Sequence, residues 1–481
     1  MTRVVSTKVE SSAGVQLKTF RDLLPILLIV VAMLASENVK AQGVSGMTPN
    51  SSRAGDANGQ RESRETLSVR DTIELALKNN LSTLLASERE SEARGLRTES
   101  RAPLMPNIYA AVSQTSRTLN LAALGLDLSN ATLPGFPTFI GPFKVFDARV
   151  NLAQSVFNLT AIRNYQAGKL GVKVAIFQEQ LAREQVASVA ALAYLNAIRT
   201  ARSVQTAQAN LELAKVLATL AQNQKAAGIA TGVDVTRALT RQAQEETNVA
   251  QAQTAANQAM FQLLRVAGLS LSSKPTLTDP LRYLEEPEPS PETAVSTAST
   301  QRREILVAQE QLRVSELETK AARAERLPSV DFLADYGSSG ITPSKSDFPT
   351  RDIEVRVSVP IFNGGATNGR VQVAASRQRQ AELQLKDIQQ QVEQDVRDAL
   401  QTLATSADQV KSAEQSVTLS ERELQMARDR FSAGVGDNIE VINAQTALAN
   451  ARDSQVTALT QHNAARINLA AALGRVEDFR W

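Results

Sequence analysis

Polar and apolar positions alternate in four short stretches. In "RDIEVRVSVPIF" the apolar set Ile353, Val355, Val357 and Val359 is interleaved with Asp352, Glu354, Arg356 and Ser358. In "FDARVNLAQ" it is Phe146, Ala148, Val150 and Leu152 against Asp147, Arg149 and Asn151. "VDFLADY" and the weaker "IYAAVSQTS" repeat the pattern through Val330, Phe332, Ala334, Tyr336 and through Ile108, Ala110, Val112. A period of two predicts strands with one apolar face, here over about 107–116, 145–154, 329–337 and 352–360. About ten residues is also the length a tilted strand needs to cross a bilayer with its apolar side in lipid. Four strands are too few to close a barrel, and an open edge in lipid leaves backbone groups unpaired. If these strands cross a membrane, the chain must oligomerise.

A different period governs two long tracts, about 161–227 and 366–433, neither with an internal proline. At 1.5 Å per residue each reaches about 100 Å as a helix. Val410, Ala413, Val417, Ser420, Leu424, Ala427 and Phe431 keep a 3-4-3-4 spacing, matched by Val204, Ala207, Leu211, Ala214, Ala218 and Ala221. That seam predicts coiled-coil packing, and its small residues allow close approach.

The two patterns belong to one unit written twice. Each copy runs helical segment, proline step (Pro106, Pro328), two alternating stretches, long tract, glycine turn and last helix, ending at Gly268 or Gly474. The expected divisions are a repeat over 67–271, a proline-rich linker over 272–292, a second repeat over 293–475 and a tail over 476–481. The first copy inserts "LGLDLSNATLPGFPTFIGP" between its strands, expected to be a longer loop.

"GIATGVDVTRAL" from Gly228 and "GVGDNIEVINAQ" from Gly434 align without a gap. Each glycine stands where a helix end takes a left-handed residue. Thr231 and Asp437 then serve as N-caps, with Asp234 and Glu440 completing capping boxes.

Composition narrows the chemistry. No cysteine is present, which removes disulfides and thiolate sites, and the one histidine, His462, is expected to pack on or against a helix. No cofactor is expected. An apolar run of about twelve residues, Leu23–Leu34, with Val39 and Ala41 before a cleavage point, predicts a signal peptide over 1–41. The Gly/Ser-rich stretch 42–66 is expected to be a flexible tail. The leader holds five of the 52 basic and three of the 50 acidic residues, so the remainder is neutral and nucleic acid is not an expected partner.

The doubled order, "VPIFNGG" at 359–365 and "AGVGDNIEVINAQTAL" at 433–448 resemble the TolC-like outer membrane efflux protein family over about residues 68 to 475. The fold implied is mostly α with a small β part. Three chains would close a twelve-stranded barrel in the outer membrane, continuing into a long coiled-coil α-barrel across the periplasm. Such a homotrimer is the exit duct of a tripartite efflux system or of type I secretion, meeting a periplasmic adaptor protein and, through it or directly, an inner-membrane transporter.

The resemblance further implies a pore constriction at Asp234, Arg237, Phe431, Glu440 and Asn443. Glu440 would form a threefold carboxylate ring, with Asp234 and Arg237 pairing across neighbouring hairpins. Adaptor contacts would fall on Gly228 and Ile229 and on Gly434 and Val435. The first copy departs from the pattern with Ser155 in place of Pro360, and with Leu159 and Thr160 where the second has Gly364 and Gly365. A soluble periplasmic coiled-coil scaffold with a small capping sheet is the competing architecture. Metal-ion efflux is disfavoured, since the chain offers six methionines, one histidine and no cysteine as soft ligands.

Overall fold

The computed structural model describes residues 65–121, 123, 139–284, 289–345 and 348–481. The expected leader, most of the tail before Thr66 and most of the first inter-strand insertion lie outside them. The first copy comprises β1 (Thr66–Leu67), α1 (Val69–Asn79), α2 (Leu81–Arg101), β2 (Asn107–Asn120), β3 (Phe139–Phe157), α3 (Leu159–Ala226) and α4 (Gly232–Ala267). The second repeats that order with β4 (Thr276–Leu277), α5 (Pro291–Gln301), α6 (Arg303–Ala324), β5 (Ser329–Gly340), β6 (Phe348–Ser358), α7 (Ala366–Ser432) and α8 (Asn438–Ala472).

Antiparallel strands form one sheet in the order β2-β3-β5-β6, so the two copies meet at β3–β5 while β2 and β6 are edges. The register puts Ile108 opposite Leu152, Leu152 opposite Ala334 and Ala334 opposite Ile353, which collects the four alternating apolar sets on one face. Asp147, Arg149, Asp335, Asp352, Glu354 and Arg356 fall on the other.

Three details differ from the sequence expectation. Phe139–Pro142 is strand, not loop: Asn120 pairs with Phe139 and Leu119 with Ile140, carrying the ladder further than the alternation did. Pro142, which has no N–H to give, sits at the register shift between Arg117 and Leu119, a place a ladder can spare a donor. In the second copy the ladder ends at Ser329–Ser358, so Val359 and Pro360 lie beyond the strand. The helical segment before each proline step is also two helices, parted at Asn80 and at Arg302. Asn80 accepts the Ser82 N–H through its side chain, capping α2.

α3 and α7 have 68 and 67 residues and pass the whole helical region, each folding back through α4 or α8. The heptad seam is buried at Val410, Ala413, Leu424, Ala427 and Phe431, and in the first copy at Ala214, Ala218 and Ala221. A wider core lies part-way along the helices, where Leu67, Ile73, Tyr194, Leu263, Leu264, Ile467 and Phe479 pack together. Two stretches expected to be tail or linker belong to it. Leu67 and Leu277 sit in the paired strands β1 and β4, and Trp481 donates its indole N–H to the Pro280 carbonyl at 2.8 Å. Tyr194 donates its hydroxyl to Leu67 O and accepts the Asp279 N–H. His462 is buried, with Nδ1 3.2 Å from Ser406 Oγ and Nε2 3.2 Å from the Leu284 carbonyl, so it fastens the linker to α8.

Candidate functional site

Two features converge on function, the sheet and the paired hairpin tips. On the interior strands the most exposed side chains of the sheet's middle are apolar, Val150 at 49 % and Tyr336 at 65 %, while Phe146, Ala148, Leu152, Phe332 and Ala334 beside them are half-buried. On the opposite face Arg149 and Asp335 are 29 % and 22 % exposed, joined at 2.9 Å, with Asp147 at 2.6 Å from the same guanidinium and accepting from Ser339 Oγ. A sheet in water would reverse this, because charges want hydration and apolar groups want cover. An apolar outside against an enclosed charged face is the pattern of a strand between lipid and a polar lumen.

At the other end, both helix-to-helix turns are closed alike. Gly228 and Gly434 have φ of 76° and 75°; the next N–H groups, of Ile229 and Val435, reach back to Gln224 O and Arg430 O at 2.9 and 3.1 Å. A Cβ would find open space at either glycine, so it is the left-handed backbone that selects glycine there. Ile229 and Val435 stand exposed at the tips.

Beyond the turn the copies diverge. In the first, the capping box forms: Thr231 Oγ1 accepts the Asp234 N–H, while Asp234 Oδ2 takes the Thr231 N–H at 2.9 Å and its hydroxyl at 2.6 Å. These bonds from Thr231, side chain first and then backbone, hold the Asp234 carboxyl below the usual aspartate range. In the second, Asp437 caps through the Ile439 N–H at 3.2 Å, and Glu440 does not close a box. Its carboxylate lies 3.3 Å from Arg430 Nε instead. The copies differ at three relevant positions: Asp437 has no hydroxyl to donate where Thr231 has one, Glu440 replaces Asp234, and Arg430 occupies the repeat position of Gln224, which is buried and donates to the Phe431 carbonyl at 3.1 Å. A guanidinium one turn before the glycine out-competes a single backbone N–H for the glutamate.

Two other residues of the expected constriction make contacts within the chain. Phe431 is 6 % exposed, packed with Leu217, Leu424, Val441, Ala444 and Leu448, because it continues the heptad seam that joins α7 to its neighbours. It is a core side chain of the hairpin. Within the chain, Arg237 lies 4.0 Å from Asp234, one turn away on its own helix. Glu440 and Asn443 are both exposed, one turn apart on α8. The two tips are also tied to each other by Gln224 and by Asn438, whose side chain donates to Asp234 O at 3.1 Å. Neither tie was picked out from the sequence, although the mismatches Gln224/Arg430 and Gly232/Asn438 between aligned copies mark both places.

A long helical hairpin pair surmounted by a lipid-facing sheet defines an outer-membrane channel subunit, and comparison with known proteins agrees. Residues 294–475 match the family model for outer membrane efflux protein. The alkaline protease secretion protein AprF of Pseudomonas aeruginosa is 24 % identical over 81 % of this chain and 81 % of its own length. The outer membrane protein TolC of Escherichia coli is 23 % identical over 79 % and 76 %. Among solved structures, the outer membrane protein VceC of Vibrio cholerae superimposes with a TM-score of 0.72 at 20 % identity, over 84 % of this chain and 96 % of that one.

The chain is similar to the TolC-like outer membrane efflux proteins, through the family match over residues 294–475 and through relatives alike over about four fifths of its length. Its sheet is the outer-membrane part and its helices extend into the periplasm. It is a duct through that membrane.

Proposed function

We propose that three copies of this chain close a twelve-stranded barrel by pairing β6 of one with β2 of the next. The joined structure then passes small molecules outward from a periplasmic adaptor and an inner-membrane pump. The carrying observation is the four-stranded sheet that exposes its apolar face and leaves both edge strands open. In lipid each unpaired backbone group costs several kcal/mol, and closure with further copies is the way to satisfy them. Transport needs no chemistry from the protein itself, which makes a channel and not a catalyst of it.

The adaptor would meet the exposed tips at Gly228–Ile229 and Gly434–Val435, where the absent or small side chains allow backbone approach. The constriction would be set by Glu440 and Asn443. Three Glu440 carboxylates around one axis focus a negative field in a narrow pore and favour cations. Asp234 is engaged by its own cap, which supports a structural part for it beside that ring. Opening would then require Glu440 to be released from Arg430 or to move with it.

Protein export is the second reading, favoured by AprF being similar over four fifths of both chains. Outer-membrane fractionation, an SDS-resistant trimer and conductance in planar bilayers test the duct. Dye accumulation against loss of a secreted protein in a deletion strain separates the two cargoes. A monomer soluble without detergent refutes both.

A further inference from the structure

Six residues before each first strand, the copies place an arginine in equivalent positions: Arg101 ends α2 ahead of Asn107, and Arg323 ends α6 ahead of Ser329. Both are exposed, and neither guanidinium has a hydrogen-bond or ion-pair partner among the described residues. Arg326, also exposed, holds only the neutral Asn368 side chain at 3.0 Å. The nearby acids do not cancel them. Glu325 is taken by Arg370 at 2.6 Å, and Glu99 stands alone in the first copy, with Ala321 at its repeat position.

Directly above this basic level lies exposed apolar surface. Val156 and Phe157 end β3, Leu327 precedes β5, and Ile361 and Phe362, almost fully exposed, follow β6. These residues bracket the ends of the strands at the junction of sheet and helices. Apolar and aromatic side chains at the base of a barrel sit at the headgroup level, and a guanidinium just outside the hydrocarbon meets lipid phosphate. Arginine suits that partner better than lysine, since its planar fork matches a phosphate bidentately.

We infer that Arg101 and Arg323, with Arg326 beside the second, form a collar that binds the phosphate headgroups of anionic phospholipid on the periplasmic side of the outer membrane. The inference rests on the outer-membrane reading of the sheet. Its occupant is the membrane itself, and not the adaptor or a cargo. The collar fixes the depth at which the barrel sits, because the rim above it cannot sink and the charges below it cannot rise.

The test uses the full chain, assembled in detergent, with binding followed by native mass spectrometry. Dioctanoyl phosphatidylglycerol is compared with dioctanoyl phosphatidylcholine of the same tail length. About fivefold is expected for each arginine at a membrane surface. Phosphatidylglycerol should therefore bind the wild type at least fivefold tighter, and the combined Arg101→Gln and Arg323→Gln variant should lose that preference. Arg101→Lys with Arg323→Lys should keep part of it, and Arg202→Gln, exposed mid-helix, should keep all of it.

Equal affinities in the wild type, or a preference that survives the double glutamine variant, overturn the collar. So does inorganic phosphate displacing the lipid at equal concentration, which would make this a free-phosphate site. If the glutamine pair fails to assemble, the lysine pair and wild-type salt dependence decide it: a preference unchanged between 50 mM and 500 mM salt refutes a charged headgroup contact. Planar-bilayer conductance of the same preparations separates the two levels, since conductance kept while lipid preference is absent refutes the collar and leaves the duct standing.

Discussion

Truncating Phe431 to alanine tests whether the hairpin tip is held by its core or by its pore lining. The ring is 94 % removed from solvent and meets Leu217, Leu424, Val441, Ala444 and Leu448, so the change leaves a cavity among large neighbours at the junction of three helices. Phe→Ala in such a setting costs about 3–5 kcal/mol, from lost transfer energy together with unfilled space. The tip is a local unit at the far end of a 67-residue helix, so the loss should appear as local opening and not as global unfolding. At about 1.4 kcal/mol per factor of ten, amide exchange around Arg430–Leu448 should accelerate at least a hundredfold. The strands, some 100 Å away along the helix, should keep their protection. Phe431→Leu, which fills most of the volume, should cost under about 1.5 kcal/mol. Single-channel conductance in planar bilayers supplies the control: a core residue leaves the open-state conductance unchanged. A severalfold rise in conductance with exchange rates left as in the wild type would refute this placement and return Phe431 to the constriction.

Glu440→Gln should reduce cation preference measured as reversal potential in a salt gradient, whereas Asp234→Asn should leave selectivity alone and weaken the cap by about 0.5–2 kcal/mol, seen in exchange at the start of α4. Equal effects of the two on selectivity would contradict the difference between the copies. Val355→Lys, on the lipid side of β6, should cost about 2–4 kcal/mol near mid-membrane and deplete the protein from the outer membrane, while Glu354→Lys, on the lumen side, should insert normally. Glu184 is a pH prediction. Burial pushes its carboxyl up to about 7 although Arg303 lies 3.2 Å away and opposes the shift; Glu304 and Glu477 add to it. A carboxyl raised in the folded state binds its proton more tightly there than unfolded, so its contribution is full below the unfolded value near 4.5 and is lost as pH rises through 7. Glu184→Gln should remove that fall, worth at most about 3 kcal/mol, and flatten thermal stability between pH 5 and 8. A wild type whose stability rises across that range would show the opposite sign and reject the assignment.

How much of this was written in the chain can be followed residue by residue. The period of two in Val355, Val357 and their counterparts set which side of each strand is apolar, and the 3-4 spacing from Val410 to Phe431 set which side of α7 is buried. Gly228 and Gly434 marked both reversals, because a left-handed backbone is a local demand that one residue type meets. These are short-range requirements, satisfied within a few neighbours, and periodicity records them. The sequence likewise carried Thr231 as a cap, since its partner is three residues away.

What only the tertiary structure decided involves partners that are distant in sequence or chosen by competition. The start of β3 at Phe139 depends on β2 having a strand's length of backbone left to pair, which no pattern in 139–142 states. Glu440 had two possible partners of similar reach, and the guanidinium of Arg430 beat the backbone amide. Phe431 obeyed the heptad and so went to the core, where its place three residues before a glycine had suggested the pore. The sheet's direction toward lipid rests on a contrast of exposure between faces, which appears only once the strands stand side by side. Local sterics and periodicity are readable from a string of residues; the free-energy ranking among long-range partners becomes definite when the fold has set their distances.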